Sequence, residues 1–502
     1  MGESTRARGY RFGERRRSGL FGTVPPALAA AGGLSLVAGW AAISGYIPIP
    51  AALLVAVAAA WLWFGKLHGQ PVHEILPWAI GWWWRKLRSR NRWYRPVALI
   101  LDGEDQPTVV PDVLMGLDLY EFEVSWLSPG HDVPIGVVHD RGAGTVTAVL
   151  RVSGDGQFAI VDSVGQDMRI DEWGAAIGGF AREQSPVSTV TFHDWTSPQP
   201  IRDTVARLED RWADEPEHPS RPGYLQLLRD TSATVVNHEV LVEVTVDLAR
   251  LSRQRREKPL AAGLRSVAEQ TRLFAGRLAT AGLRVEALLS AADLVSATRV
   301  RGNPAVVEQL TTLRRSLAAA TGRSAPTFGP MMIDDQLSAV VVDGVWHRSW
   351  WFASWPRREV VGAWMDPLMF DSGCTRSLTT VFEPVPPKAS DADVDKERTQ
   401  REANLETRRR KGYIVRRKDE KAIAEVEARE DELSAGFAEC YYTGLLTLAA
   451  ADAETLEQQA ADLEQIAANA GVELQRLVGR QAAGWVASLP LGRTVARRIG
   501  AA

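Results

Sequence analysis

The chain has 502 residues, 45% hydrophobic and 24% charged, a balance that excludes a wholly disordered polymer. The formal charge of −3 hides an asymmetry: residues 1–95 hold thirteen Lys/Arg against three Asp/Glu, a net +10, which leaves −13 on the remainder. Two cysteines, Cys374 and Cys440, exclude a disulfide framework and suit a reducing compartment.

A basic tail, residues 1–23, comes first and carries Arg6, Arg8, Arg11, Arg15, Arg16 and Arg17. From Val24 to Ile47 there is no charge, and as a helix this run would reach about 36 Å, against roughly 30 Å for a hydrocarbon layer. A second uncharged run, Ile49 to Phe64, gives only about 24 Å and relies on Trp61 and Trp63 as headgroup anchors. The expectation is a transmembrane hairpin over residues 24–64. The turn between the runs is uncharged and both flanks are basic, which predicts a membrane protein with both termini and the large domain cytoplasmic. A signal peptide fits less well, because a second apolar run follows at once and no small-x-small cleavage site precedes a polar sequence.

Residues 65–96 form a basic, tryptophan-rich segment with Trp78, Trp82, Trp83, Trp84, Arg85, Lys86, Arg88 and Trp93. Indole rings favour the headgroup layer and each Lys/Arg gains about 1 kcal/mol near an anionic surface, so an interfacial helix is expected, with anionic lipid headgroups as its partner. Arg/Trp interleaving also occurs in nucleic-acid-binding surfaces, but the position beside the hairpin favours lipid, and no direct nucleic-acid contact is expected.

Residues 97–216 read as a β-rich cytoplasmic domain. Val97–Leu101, Leu119–Trp126, Val133–His139, Thr145–Arg151 and Val187–Phe192 have strand composition, with helices around Gln166–Arg182 and Gln199–Ala213. Residues 217–388 read as an α+β domain. Strands are expected at Glu239–Leu248, Arg284–Leu289, Ser338–Val342, Trp346–Ala353 and Cys374–Pro384, and helices near Tyr224–Val236, Ala261–Ala281, Ala291–Thr298 and Ala305–Ala320. Residues 389–502 begin with a long charged helical region, 389–437, laced by the i,i+4 pairs Glu397–Arg401, Glu406–Arg410 and Glu425–Arg429. They end in a strand–helix–strand unit, Cys440–Ala449, Ala453–Ala470 and Val472–Leu477. The expected fold class is α+β: a transmembrane hairpin, then β-rich and split β-α-β layers with a charged helical segment. No internal sequence repeat stands out.

Chemistry-bearing motifs are missing. The nearest approach to a phosphate-binding loop, Ala487-Ser-Leu-Pro-Leu-Gly-Arg-Thr494, lacks the first Gly and has Arg where the loop needs Lys. The eight histidines are scattered, without metal-ligand spacing. In Phe192-His193-Asp194-Trp195, His and Asp adjacent on a strand point to opposite sides and predict structural roles. No catalytic, cofactor-binding or metal residue is expected, and the chain reads as a non-enzyme.

The hairpin with its basic, Trp-rich exit resembles the small two-helix inner-membrane subunit of type IV secretion systems. The stretch 200–493 resembles the N-terminal, non-motor domain of secretion ATPases of the CagE/TrbE type. The likeness rests on HEVLVEVTVDLARL (His238–Leu251), EAREDELSAGF (Glu427–Phe437), CYYTGLLTLAAAD (Cys440–Asp452) and GRQAAGWVASLPLGR (Gly479–Arg493). The whole is similar to an actinobacterial family of conjugation-type secretion membrane proteins that fuse the two parts without a motor. This implies a scaffold that assembles with a separately encoded ATPase and other membrane secretion subunits, as a homo-oligomer or part of a larger complex. Two alternatives stay open: an EccE-like component of type VII secretion, and a membrane-bound enzyme with an unrecognised site.

Overall fold

In the computed structural model the described residues are 26–46, 48–67, 70–94, 111, 113–126, 132–154, 156, 158, 160–198, 219–231, 236–252, 259–306, 329–370, 373–410 and 417–495. The basic tail, the expected strand Val97–Leu101, the helix Gln199–Ala213 and most of the helix Ala305–Ala320 lie outside them.

The uncharged N-terminal runs form helices α1 (Pro26–Ile43) and α2 (Ile49–Phe64), which pack on each other. The expected transmembrane hairpin is corrected here: among the described residues no helix is long and apolar enough to cross a membrane. The uncharged run 24–47 is not all helix. Its helix stops at Ile43, where a turn through Gly45 at φ +79° begins, so its 18 residues reach only about 27 Å, and the 16 residues of α2 about 24 Å. The short strands β1 (Lys66–Leu67) and β2 (Gln70–Pro71) then lead into α3 (Val72–Leu87) and strand β3 (Arg92–Tyr94).

Alternating aliphatic and polar residues build the body, a 13-stranded sheet in which every pairing is antiparallel. Its first half contains β4 (Leu117–Ser125), β5 (Asp132–Asp140), β6 (Thr145–Gly154), α4 (Ser163–Gly178), β7 (Val187–Pro198), α5 (Arg221–Thr231), β8 (Val236–Asp247), α6 (Leu248–Ser252), α7 (Pro259–Thr280), β9 (Leu283–Leu288) and α8 (Ala291–Gly302). The second contains β10 (Met332–Asp335), β11 (Val340–Val342), β12 (Val345–Ser354), α9 (Asp366–Phe370), β13 (Thr375–Pro384), α10 (Pro387–Arg410), α11 (Arg417–Ser434), β14 (Cys440–Ala450), α12 (Ala453–Asn469), β15 (Glu473–Arg476) and α13 (Gln481–Ala487). Strands from the segments expected at 97–216, 217–388 and 389–502 all belong to this one sheet.

The two halves repeat one topology. Each opens with a three-strand meander, β4-β5-β6 or β10-β11-β12. Each continues as a split β-α-β arrangement, β7-β8-β6-β9 or β13-β14-β12-β15 in sheet order. Strands β6 and β12 are shared alike: the meander strand pairs with the N-terminal part, and the last strand of the half with the C-terminal part of the same strand. The chemistry repeats too. Thr147 and Thr245 share a hydroxyl–hydroxyl hydrogen bond of 2.9 Å, and Ser349 and Thr447 share another of 2.9 Å, each pair 98 residues apart. Glu121 of β4 accepts the Ala291 N–H of α8 at 2.8 Å, and Asp335 of β10 accepts the Ala482 N–H of α13 at 3.2 Å. The halves join where β7 and β13 pair antiparallel.

One face of the sheet is covered by α8, α13 and the following segment through Leu489 and Leu491. The other face is covered by α4 and α7 in the first half and by α9 and α12 in the second.

Candidate functional site

Helix α3, sequence VHEILPWAIGWWWRKL, carries two stripes at helical spacing. The inward stripe is Ile75, Trp78, Trp82 and Arg85. Ile75 is buried, and Trp78 lies under the Arg480 guanidinium, 4.2 Å from its ring centroid. Trp82 donates its indole N–H to the Asp335 carbonyl at 2.9 Å. Arg85 donates to the Gly479 carbonyl at 2.8 Å and to the Asp335 carboxylate at 3.2 Å. Gly479 sits at φ +71°, and a Cβ there would come within 2.6 Å of the Trp78 carbonyl oxygen, so this close approach needs glycine. Burial pulls the Arg480 guanidinium down to about 10. Burial also pushes the Asp335 carboxyl up to about 6, against the opposing pull of Arg85 and the Ala482 N–H.

The outward stripe is Leu76, Ile80, Trp83, Trp84 and Leu87, all exposed, with Trp83 and Trp84 edge to face at 5.9 Å. Exposed Lys86, Arg88 and Arg90 flank it; Lys86 lies 5.1 Å from the Trp82 ring and Arg88 5.8 Å from Trp84. The neighbouring hairpin exposes Leu36, Trp40, Ile43, Leu54, Trp61 and Phe64. Exposed large apolar side chains are thus concentrated on three helices that contact one another in turn, a concentration of the kind that marks an interaction site.

The residues expected at a membrane interface are therefore divided. Trp61, Trp83, Trp84, Lys86 and Arg88 face outward, whereas Trp78, Trp82 and Arg85 fasten the helix to the body. Trp93 belongs to β3 opposite Ile333 and is buried in the core. The Trp63 side chain lies outside the described residues. Sequence reading missed the seat of α3, namely Asp335, Gly479 and Arg480; the acidic pair Asp334-Asp335 after an apolar run was its only local signal.

The charged helices α10 and α11 pair through Arg398–Glu430 at 2.9 Å and Arg429–Glu397 at 3.1 Å. The pairs Glu397–Arg401 and Glu406–Arg410 form within α10, at 2.7 and 2.6 Å. Arg429, expected to pair with Glu425, instead reaches Glu397 and Glu439.

One cluster has the connectivity of a nucleophile, a base and an acid. Thr379 Oγ1 lies 3.0 Å from His193 Nδ1, and His193 Nε2 lies 3.2 Å from the Glu243 carboxylate. The His193 and Glu243 side chains are 0% and 2% exposed, and the segment bearing Gly492 covers Glu243 and donates its N–H to it at 2.9 Å. Closed in this way, the cluster is a cross-strand polar ladder. Asp194 faces the opposite way and pairs with His238 at 2.7 Å. Among the described residues no group of three His, Cys, Asp or Glu could hold a metal ion. An open cleft of about 490 Å³ lies between α12 and β15, lined by Glu464, Glu473 and Arg476 among others.

No protein-family model matches this chain, and no curated protein matches its sequence.

Proposed function

We propose that the chain is a non-enzymatic scaffold subunit that works at the cytoplasmic surface of the bacterial plasma membrane. In this reading it belongs to a type IV-like secretion or conjugation machine and assembles there with a separately encoded ATPase. The observation that carries the membrane reading is the outward stripe of α3, exposed Trp83, Trp84 and Leu87 beside Lys86, Arg88 and Arg90. An apolar stripe bordered by cations suits the boundary between acyl chains and anionic headgroups. The exposed side chains of α1 and α2 extend that surface, which acts from one side of the bilayer. The inward stripe of α3, held by Asp335, Gly479 and Arg480, fixes the angle at which the sheet stands above the lipid. The paired helices α10 and α11 offer the ATPase a charged docking surface.

Two measurements test this reading. The protein should co-sediment with vesicles containing phosphatidylglycerol more strongly than with pure phosphatidylcholine. Exchanging both Lys86 and Arg88 for Glu should cost about thirtyfold or more in affinity, from about 2 kcal/mol of lost attraction plus the new repulsion. Equal binding to both vesicles, or none, rejects the lipid surface. Affinity purification from the native host should bring down a P-loop ATPase with other membrane secretion subunits, and its absence under gentle solubilisation rejects the scaffold role.

A further inference from the structure

Strand β10 is not the edge of its sheet. Strand β3 pairs along its outer side, with Trp93 opposite Ile333 and Arg92 opposite Asp334, and the Arg92 guanidinium lies 3.2 Å from the Asp334 carboxylate. Strand β4 holds the equivalent place in the first half. It opens the β4-β5-β6 meander as β10 opens its own, and Glu121 caps α8 as Asp335 caps α13. Among the described residues no strand pairs with the outer side of β4. Among the described residues the repeat is thus closed at one end by a basic, aromatic strand and has no such strand at the other.

This edge runs for nine residues, Leu117–Ser125, and among the described residues its outer backbone donors and acceptors have no strand partner. Glu123 is exposed on it, and Glu121, two residues back on the same side of the strand, is half-buried. Asp118 is already ion-paired to Arg141 at 3.0 Å. A second copy of β4 is a poor occupant, since its carboxylates would meet these like charges. A strand with the chemistry of Arg92-Trp93-Tyr94 suits both the charge and the precedent inside the chain.

We propose that the outer edge of β4 takes a basic, aromatic strand from a partner protein by β-augmentation. Ladder hydrogen bonds supply the affinity, and the exposed Glu123 selects the sign of the incoming charge. This site is separate from the lipid-facing surface and does not depend on that reading.

The test uses the full chain without lipid and a labelled peptide of residues 88–95, Arg-Ser-Arg-Asn-Arg-Trp-Tyr-Arg. A second peptide, N-methylated at alternate residues, keeps the charge but cannot form the ladder. Binding is followed by anisotropy and located by amide hydrogen exchange. The first peptide should slow exchange across 117–125 and the methylated one should not. Glu123→Lys should weaken binding about tenfold; this exposed side chain lies away from the α8 cap, so the fold is kept. Equal protection by both peptides would reduce the effect to charge and overturn the proposal. No binding, or binding that leaves 117–125 unchanged or acts instead at 332–335, also overturns it.

Discussion

Arg85 and Asp335, 250 residues apart in the chain, meet with the guanidinium 3.2 Å from the carboxylate. That contact joins the tryptophan-rich helix to the second half of the sheet. The same carboxylate also accepts the Ala482 N–H, so one buried group serves both the docked helix and the closing helix of its half.

Asp335 should make the fold less stable as pH rises. Burial lifts its carboxyl from an ordinary value near 3.8 to about 6, so the folded state holds its proton more tightly than the unfolded chain does. The resulting stability is fully present below pH 3.8 and is lost as pH rises through about 6, a change of about 3 kcal/mol. Urea unfolding of wild type and Asp335→Asn between pH 4 and 7.5 reads this directly. Wild type should lose stability relative to the variant as pH rises, on top of any constant offset from the altered Arg85 contact. Parallel profiles would show that Asp335 does not titrate in this window.

His347 should act in the opposite sense. Its side chain is buried, its Nε2–H donates to the Gly302 carbonyl at 2.9 Å, and burial lowers its pKa to about 4. The neutral ring is the form the fold accepts, so its contribution is complete above pH 6.5 and falls away as pH drops toward 4, again by about 3 kcal/mol. His347→Gln keeps an amide donor and removes the titration. The variant should therefore lose less stability than wild type between pH 7 and 4, and an unchanged acid limb would reject the assignment.

Strand periodicity made most of the sheet legible. The run Glu239–Leu248 is so rich in valine and leucine that its strand, observed at Val236–Asp247, was plain in the sequence, and the strand–helix–strand endings pointed to split β-α-β packing. The duplication stayed hidden because equivalent positions keep chemistry and not identity: Thr147 matches Ser349, and Glu121 matches Asp335. Strand β10 escaped notice because four residues ending in two aspartates carry no strand signal of their own. In α3 the tryptophans were visible, but which of them turn inward depends on Asp335 and Arg480, far off in the chain. The membrane hairpin failed for a different reason. An uncharged run gives an upper limit on helix length, and the turn after Ile43 set the actual one.

Cys440 should resist alkylation while the protein is folded. It lies at the start of β14, where burial first and the Glu439 charge second push its thiol up to about 12. Only the thiolate is nucleophilic, so at pH 8 its reactivity should fall roughly a thousandfold below that of an ordinary thiol. Iodoacetamide labelling followed by peptide mass mapping should find Cys440 unmodified in native protein and fully modified in urea. Rapid native labelling would place the thiol in a more open setting.

The segment after α13 ties the two halves together, and Gly492 is its tightest point. Its N–H reaches Glu243 on β8, and Arg493 pairs with Asp140 at 2.8 Å on β5, so residues from the end of the second half grip strands of the first. Gly492 has φ +69°, and a Cβ there would overlap the Thr147 side chain. Gly144 provides the comparison, with φ +67° and nothing near a Cβ. Gly144→Ala should cost about 1 kcal/mol from backbone strain alone. Gly492→Ala should cost that and a further 1–3 kcal/mol or so of overpacking against β6. Chemical unfolding of both variants separates the two effects. If the costs are equal, the segment gives way without disturbing the sheet and holds the halves only weakly. A clear excess at Gly492 means that the segment is packed as part of the core, and that one cooperative transition should then unfold both halves together.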